Sequence, residues 1–207
     1  MLLIGRDLSP FVRRTAIILE TLGLEFERRK LAAIEDAEEL AEFTPLGRVP
    51  VLVLDDGEKI VDSAVIIDYA LDVADPHYQF LPSNGAIRRR ILYLSAIATG
   101  VMEKGVAVSY ERYQRPKNKQ YAPWLDRLLN QMRRGMANLE AAASDVQWMQ
   151  GDRLSLADIN AVVLYDFVQL IEPELTLDAA PCALPVLSGR LNRTSAFINN
   201  RYVRPAK

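Results

Sequence analysis

The chain holds one cysteine, Cys182, and one histidine, His77, in 207 residues. A lone cysteine excludes an internal disulfide and any multi-cysteine metal site, and a lone histidine excludes a His-rich one. Their separation along the chain also argues against a Cys–His catalytic pair. Cys182 stands between Pro181 and Pro185 and reads as a buried or loop cysteine without chemistry. His77 follows Asp75-Pro76 with no partner at catalytic spacing and reads as a surface residue.

A surplus of positive charge is missing too. Lys and Arg number 25 against 27 for Asp and Glu, a net charge of −2, so neither nucleic acid nor an anionic membrane is expected as a partner. Met1-Leu2-Leu3-Ile4-Gly5 is too short an apolar run before Arg6 and Asp7 to serve as a secretory signal. We expect no run approaching the roughly 20 apolar residues that span a bilayer. The expectation is a cytoplasmic protein without a metal. Internal repeats and low-complexity tracts are also absent.

What remains is ordinary globular material: 50% hydrophobic and 25% charged residues, in a length comfortable for two small domains. The first part reads β-α-β-α-β-β-α. Leu2–Gly5 and Phe26–Leu31 are strand candidates, and Pro10–Leu22 has helical spacing that Gly23 stops. Residues 35–43 favour a helix, Val51–Leu54 and Lys59–Val61 form a hairpin about Asp55-Asp56-Gly57-Glu58, and Ser63–Ala74 is the next helix. Two prolines, a glycine and polar residues then break the pattern. This predicts a domain over 1–76, a linker over 77–85 and an all-α domain over 86–207. Its helices are expected over Ile87–Arg112, Tyr121–Ala143, Ser155 to about Leu170, Val186–Asn192 and Ser195–Asn200. Trp124, Leu128, Met132, Met136 and Leu139 lie down one face of the second, where Gly135 costs about 1 kcal/mol relative to alanine unless a close helix crossing requires it.

The most informative stretch is Thr44-Pro45-Leu46-Gly47-Arg48-Val49-Pro50-Val51-Leu52-Val53-Leu54. Pro50 lacks a backbone N–H, so it belongs at the first residue of a strand. Only X–Pro bonds adopt cis cheaply, at roughly 0.5–1 kcal/mol. A cis bond here turns the Val49 N–H and C=O outward, where an extended peptide can pair with them as with a sheet edge.

Two helix starts carry the other candidates. Ser9 precedes Pro10, a pairing that N-capping alone explains, since serine accepts from a backbone N–H and proline is favoured at N1. Arg13 lies one turn on, on the same face. Asp62-Ser63 opens the third helix, where Ser63 would cap well and exposed N–H groups would favour a carboxylate. Ser155-x-x-Asp158 has the form of a capping box and is a folding signal.

Ser9-Pro10-Phe11-Val12-Arg13, Pro45-x-Gly47-x-Val49-Pro50, Asp62-Ser63-Ala64-x-Ile66 and Ser155-Leu156-Ala157-Asp158-Ile159, in this order and spacing, resemble the cytosolic glutathione transferase family over most of the chain. The resemblance implies an α/β thioredoxin-like N-terminal domain followed by a C-terminal helical bundle. It implies glutathione as co-substrate, activated at Ser9 and added to an electrophilic hydrophobic small molecule. Arg13, or its neighbour Arg14, would support the catalytic site; the alternative is a solvated arginine or a bridge to the second domain. Glutathione would be held by Ser9, Phe11, Arg48, Val49, Pro50, Asp62 and Ser63, with Ser63 taking the γ-glutamyl carboxylate and Asp62 its ammonium. Phe11, Tyr110 and Tyr113 would line the electrophile pocket, although ordinary packing explains the two tyrosines as well. A homodimer is implied. The residue at position 9 is not cysteine and no tyrosine falls within the first nine, which disfavours thiol–disulfide exchange and tyrosine-type activation. Three alternatives stay open: glutathione-dependent isomerisation, reduction, or a catalytically silent binding module.

Overall fold

The computed structural model of the protein describes residues 1–144, 146–176 and 183–202. Cys182 and the reading attached to it lie outside the described residues. The chain divides into two compact units. One is Met1–Phe80 together with the segment from Asn192 onward, and the other is Leu81–Leu191. The C-terminal segment thus groups with the first unit, a change from the partition expected for 86–207.

In the first unit, strands β1 (Leu2–Ile4), β2 (Glu27–Arg29), β3 (Val51–Val53) and β4 (Lys59–Val61) form one sheet in the order β2-β1-β3-β4. β1 and β2 run parallel, and β3 is antiparallel to both β1 and β4. Helix α1 (Pro10–Thr21) lies between β1 and β2, α2 (Ala37–Ala41) between β2 and β3, and α3 (Ser63–Ala74) follows β4. Alternation along the strands sorts two cores. Leu3 and Leu52, register partners, pack with Val12, Ala16 and Leu19 of α1 and with Ile66 and Ala70 of α3. The next pair, Ile4 and Val51, faces the other way and packs with Leu31 and Leu40 of α2. The layers are therefore α1/α3, sheet, α2. The second strand is shorter than the expected Phe26–Leu31, because β2 is an edge strand whose Glu27 and Arg29 are exposed.

The second unit holds α4 (Gly85–Tyr113), α5 (Ala122–Ala143), α6 (Leu156–Ile171) and α7 (Ala183–Leu191). A short helix, α8 (Ser195–Asn199), follows in the segment that joins the first unit. Pro185 falls in the first turn of α7, where its missing N–H costs nothing. Gly135 is explained by contact: a Cβ there would run into Val101 of α4. Gly105 does the same on another face of α4, where a Cβ would lie 2.8 Å from both Phe167 and Ile171 of α6. Leu128, Met132, Met136 and Leu139 are buried on α5 as expected, whereas Trp124 is 44% exposed.

One expectation needs correction. α4 is 29 residues long, with an 18-residue window of mean hydropathy 1.4, enough by length and composition to cross a membrane. Its buried residues pack at the two glycine crossings against α5 and α6, which marks it as the central helix of its unit.

The capping box forms around Asp158, which is fully buried. Its carboxylate accepts from the Met149 N–H at 2.8 Å, the Ser155 N–H at 2.8 Å and the Ser155 hydroxyl at 2.6 Å. Burial pushes the carboxyl up from the ordinary aspartate range, and these hydrogen bonds only partly offset that.

Candidate active site

Ser9 is the N-cap of α1, in extended geometry (φ −75°, ψ 121°), with Pro10 at N1. Its hydroxyl oxygen accepts from the Val12 N–H at 3.3 Å, and its carbonyl accepts from the Arg13 N–H at 3.0 Å. A hydroxyl carries one donor and two acceptor lone pairs. Capping uses an acceptor position and leaves the O–H able to donate, so the capping and the functional readings of Ser9 are compatible.

The Val49–Pro50 bond is cis. Among the described residues, no backbone hydrogen bond engages the Val49 N–H or C=O. Pro50 is buried, Val49 half-buried and Arg48 exposed, just after Gly47 at φ 58°. Gly5 brings this loop against the start of α1. At φ 139° it has no Cβ, and one built there would collide with Val12 and lie 3.0 Å from the Val49 Cβ. Glycine at position 5 is what lets the first turn of α1 and the Val49 loop close on one another. This role was missed from sequence; the signal available was a glycine ending the first strand.

The third element is the start of α3. Here Asp62, not Ser63, is the N-cap: its Oδ1 accepts from the Ala64 N–H at 2.8 Å, leaving Oδ2 at the surface of an exposed residue. Asp62 has φ 76° and ψ 131°, a conformation that non-glycine residues adopt only under constraint and that clusters at functional sites. Ser63 is buried, 3% exposed, as the first residue of the helix. Its hydroxyl accepts a 2.6 Å hydrogen bond from Arg14 of α1, itself 3% exposed. The Phe11 ring, half-buried, lies 5.8 Å from the Arg14 guanidinium carbon. Ser9, Phe11, Val49, Asp62 and Ser63 are thus tied together through Gly5 and Arg14.

Arg13 does not join them. Its Nε donates to the Asn200 carbonyl at 2.8 Å, and its Nη2 donates to the Asn192 side chain at 3.2 Å. Its guanidinium stacks at 4.5 Å on Tyr202 and 5.6 Å on Phe197. Arg13 shares a helix face with Ser9, but its long side chain ends at Asn192 and Asn200, whereas Arg14, about 100° further round the helix, points to Ser63. The arginine of α1 that contacts Ser63 is Arg14. Two neighbouring arginines in the middle of the fully buried run from Val12 to Leu19 were the sequence signal for both roles. Tyr110 and Tyr113 occupy the last turn of α4 in the other unit, 42% and 75% exposed.

The family model for the glutathione S-transferase N-terminal domain matches residues 3–77, and that for the C-terminal domain matches residues 101–183. The chain is similar to an uncharacterised GST-like protein, YibF, of Escherichia coli K12, at 33% identity over 77% of this chain and 77% of that protein. It is 28% identical to a maleylacetoacetate isomerase of Pseudomonas aeruginosa over 76% of this chain and 75% of that one. Among solved structures it resembles a glutathione S-transferase from Methylobacterium radiotolerans in complex with glutathione sulfonate. That match has a TM-score of 0.89 and 28% identity, covering 100% of this chain and 97% of that one.

Proposed function

Because the chain belongs to the glutathione S-transferase family, we propose that it binds glutathione along its first unit and adds the thiol to an electrophilic, hydrophobic small molecule. The observation that carries this reading is Ser9, whose oxygen caps α1 while its O–H stays available to a thiolate. A free thiol titrates near 8.5, which leaves only a few per cent as thiolate at neutral pH. Lowering that value by about two units takes about 2.7 kcal/mol of preferential thiolate stabilisation. A hydroxyl hydrogen bond to the anion supplies roughly 1.5–3 kcal/mol and the α1 N-terminus about 0.3–1 kcal/mol more. These magnitudes suffice without a general base, which suits a chain with one histidine.

In this reading the backbone of Val49, preceding buried Pro50, pairs with the peptide as an added strand. Ser63 donates to the γ-glutamyl carboxylate, and the outer carboxylate oxygen of Asp62 takes the ammonium. Arg48 meets a ligand carboxylate from the loop. Phe11, Tyr110 and Tyr113 are assigned to the electrophile. Arg13 drops out of the catalytic set, because its guanidinium is taken up by Asn192, Phe197, Asn200 and Tyr202. Two copies are proposed to associate as a homodimer.

The similarity to a maleylacetoacetate isomerase supports a second reading, glutathione-dependent isomerisation. That branch of the family usually carries Ser-Ser-Cys before the first helix, whereas this chain has Asp7-Leu8-Ser9.

Calorimetric titration with glutathione, followed by turnover of a chromogenic aryl halide by wild type and Ser9→Ala, tests the proposal. Wild type is expected to bind and turn over, and the variant to bind while losing roughly 25-fold in turnover at neutral pH, the change in thiolate fraction when the thiol pKa moves by about two units from about 8.5. No binding at millimolar glutathione points to a silent module. Binding with turnover unchanged in Ser9→Ala removes Ser9 from the mechanism. Light scattering is expected to report about twice the 23.3 kDa chain mass.

A further inference from the structure

Arg14 is committed to Ser63 in a way that packing alone does not require. A guanidinium has five donors and no acceptor, so in the 2.6 Å contact Arg14 donates and the Ser63 oxygen accepts. The hydroxyl hydrogen of Ser63 is therefore turned away from Arg14. Ser63 is not consumed as a helix cap either, because Asp62 performs that function through the Ala64 N–H. A buried serine at the head of α3 is left as an oriented donor, with a cation bonded to the far side of its oxygen. An anion accepting from that hydroxyl gains from the guanidinium charge one atom behind it and from the helix N-terminus. The Phe11 ring beside the guanidinium carbon adds a second restraint on its orientation.

We propose that Arg14 is a positioning residue for the γ-glutamyl end of the ligand: it turns the Ser63 hydroxyl outward as a donor and makes that subsite selective for a carboxylate. This rests on the glutathione-binding reading above. It names what the subsite reads, which is the α-carboxylate rather than the peptide as a whole.

The test compares two peptides by calorimetry on the full chain: glutathione, and 4-aminobutyryl-cysteinyl-glycine, which keeps the amine and lacks the α-carboxylate. Wild type is expected to prefer glutathione by about 10–100-fold, the worth of a charge-assisted hydrogen bond. In Arg14→Met that preference is expected to fall to within about 3-fold, through weaker glutathione binding with the analogue little changed. Arg14→Lys keeps a charge and an N–H to donate while losing the planar fork, and its preference is expected to fall between the two. It also carries the test if circular dichroism shows Arg14→Met unfolded. An arginine that merely clamps α1 to α3 would weaken both peptides alike, so equal losses, or a preference unchanged in both variants, overturn the inference while glutathione binding itself stands. A wild type that binds neither peptide overturns the glutathione reading, and the inference with it.

Discussion

Arg13 donates its Nε–H to the carbonyl of Asn200 at 2.8 Å, across 187 positions of sequence. The same Asn200 side chain donates to Glu20 at 2.8 Å and accepts from Arg28 at 3.0 Å, so the C-terminal segment is strapped to α1 and β2 by charged groups at three points. Adjacent arginines on α1 therefore have different partners: Arg13 holds Asn192 and Asn200, and Arg14 reaches Ser63.

Replacing Arg13 should accordingly cost stability. Arg13→Met removes charge-assisted hydrogen bonds to Asn200 and Asn192 and the stacking on Tyr202, leaving buried acceptors behind. The expected loss is about 2–4 kcal/mol, read as a lower urea midpoint. The dissociation constant for glutathione is expected to stay within about threefold. Lost turnover at unchanged stability would return Arg13 to the catalytic set.

Gly5→Ala probes the closure of the Val49 loop on α1. Alanine at φ 139° is strained, and its Cβ meets Val12 and Val49. Strain and overpacking together should cost about 2–4 kcal/mol. Glutathione affinity should fall with it, because the displaced group is Val49. Thermal unfolding unchanged from wild type would show that the contact is not needed.

Asp62 offers a separation of fold from ligand. Glycine tolerates φ 76° and, as an N-cap, costs only a few tenths of a kcal/mol relative to aspartate. Asp62→Gly is therefore expected to unfold within about 0.5 kcal/mol of wild type while binding glutathione more weakly, having lost the carboxylate proposed to hold the ammonium. Equal affinity in calorimetry would free Asp62 from that role.

Asp158 gives a pH dependence whose sign follows from its burial. Its carboxyl is raised in the folded protein, so the folded state holds the proton at a pH where the unfolded chain has lost it. The stability contributed by that linkage is complete below the ordinary aspartate range and is lost as pH rises through the raised value. The stability difference between wild type and Asp158→Ala should therefore shrink with increasing pH over the acidic range, in paired urea titrations. A difference that grows with pH would mean that the hydrogen bonds from Met149 and Ser155 outweigh burial.

Local signals were enough for most of the fold. The helix spanning Ser63–Ala74 and the strand Lys59–Val61 have the bounds their spacing predicts, because a cap or a turn stands immediately beside each. The cis bond at Val49–Pro50 was foreseeable because proline is the one residue that makes it cheap. The apolar length of α4 was underestimated from sequence, because its charged residues interrupt the run while an 18-residue window within it still averages a hydropathy of 1.4.

Residue type, spacing and the punctuation of Pro, Gly, Ser and Asp determined where the helices and strands of this protein begin and which loops face outward, because those preferences act within a few residues of backbone. Tertiary structure decided which arginine of α1 reaches Ser63, which of Asp62 and Ser63 caps α3, and which unit keeps the C-terminal segment. Those outcomes depend on where a long side chain ends after the elements have packed, and a guanidinium on a helix reaches partners that lie 49 or 187 positions away in sequence.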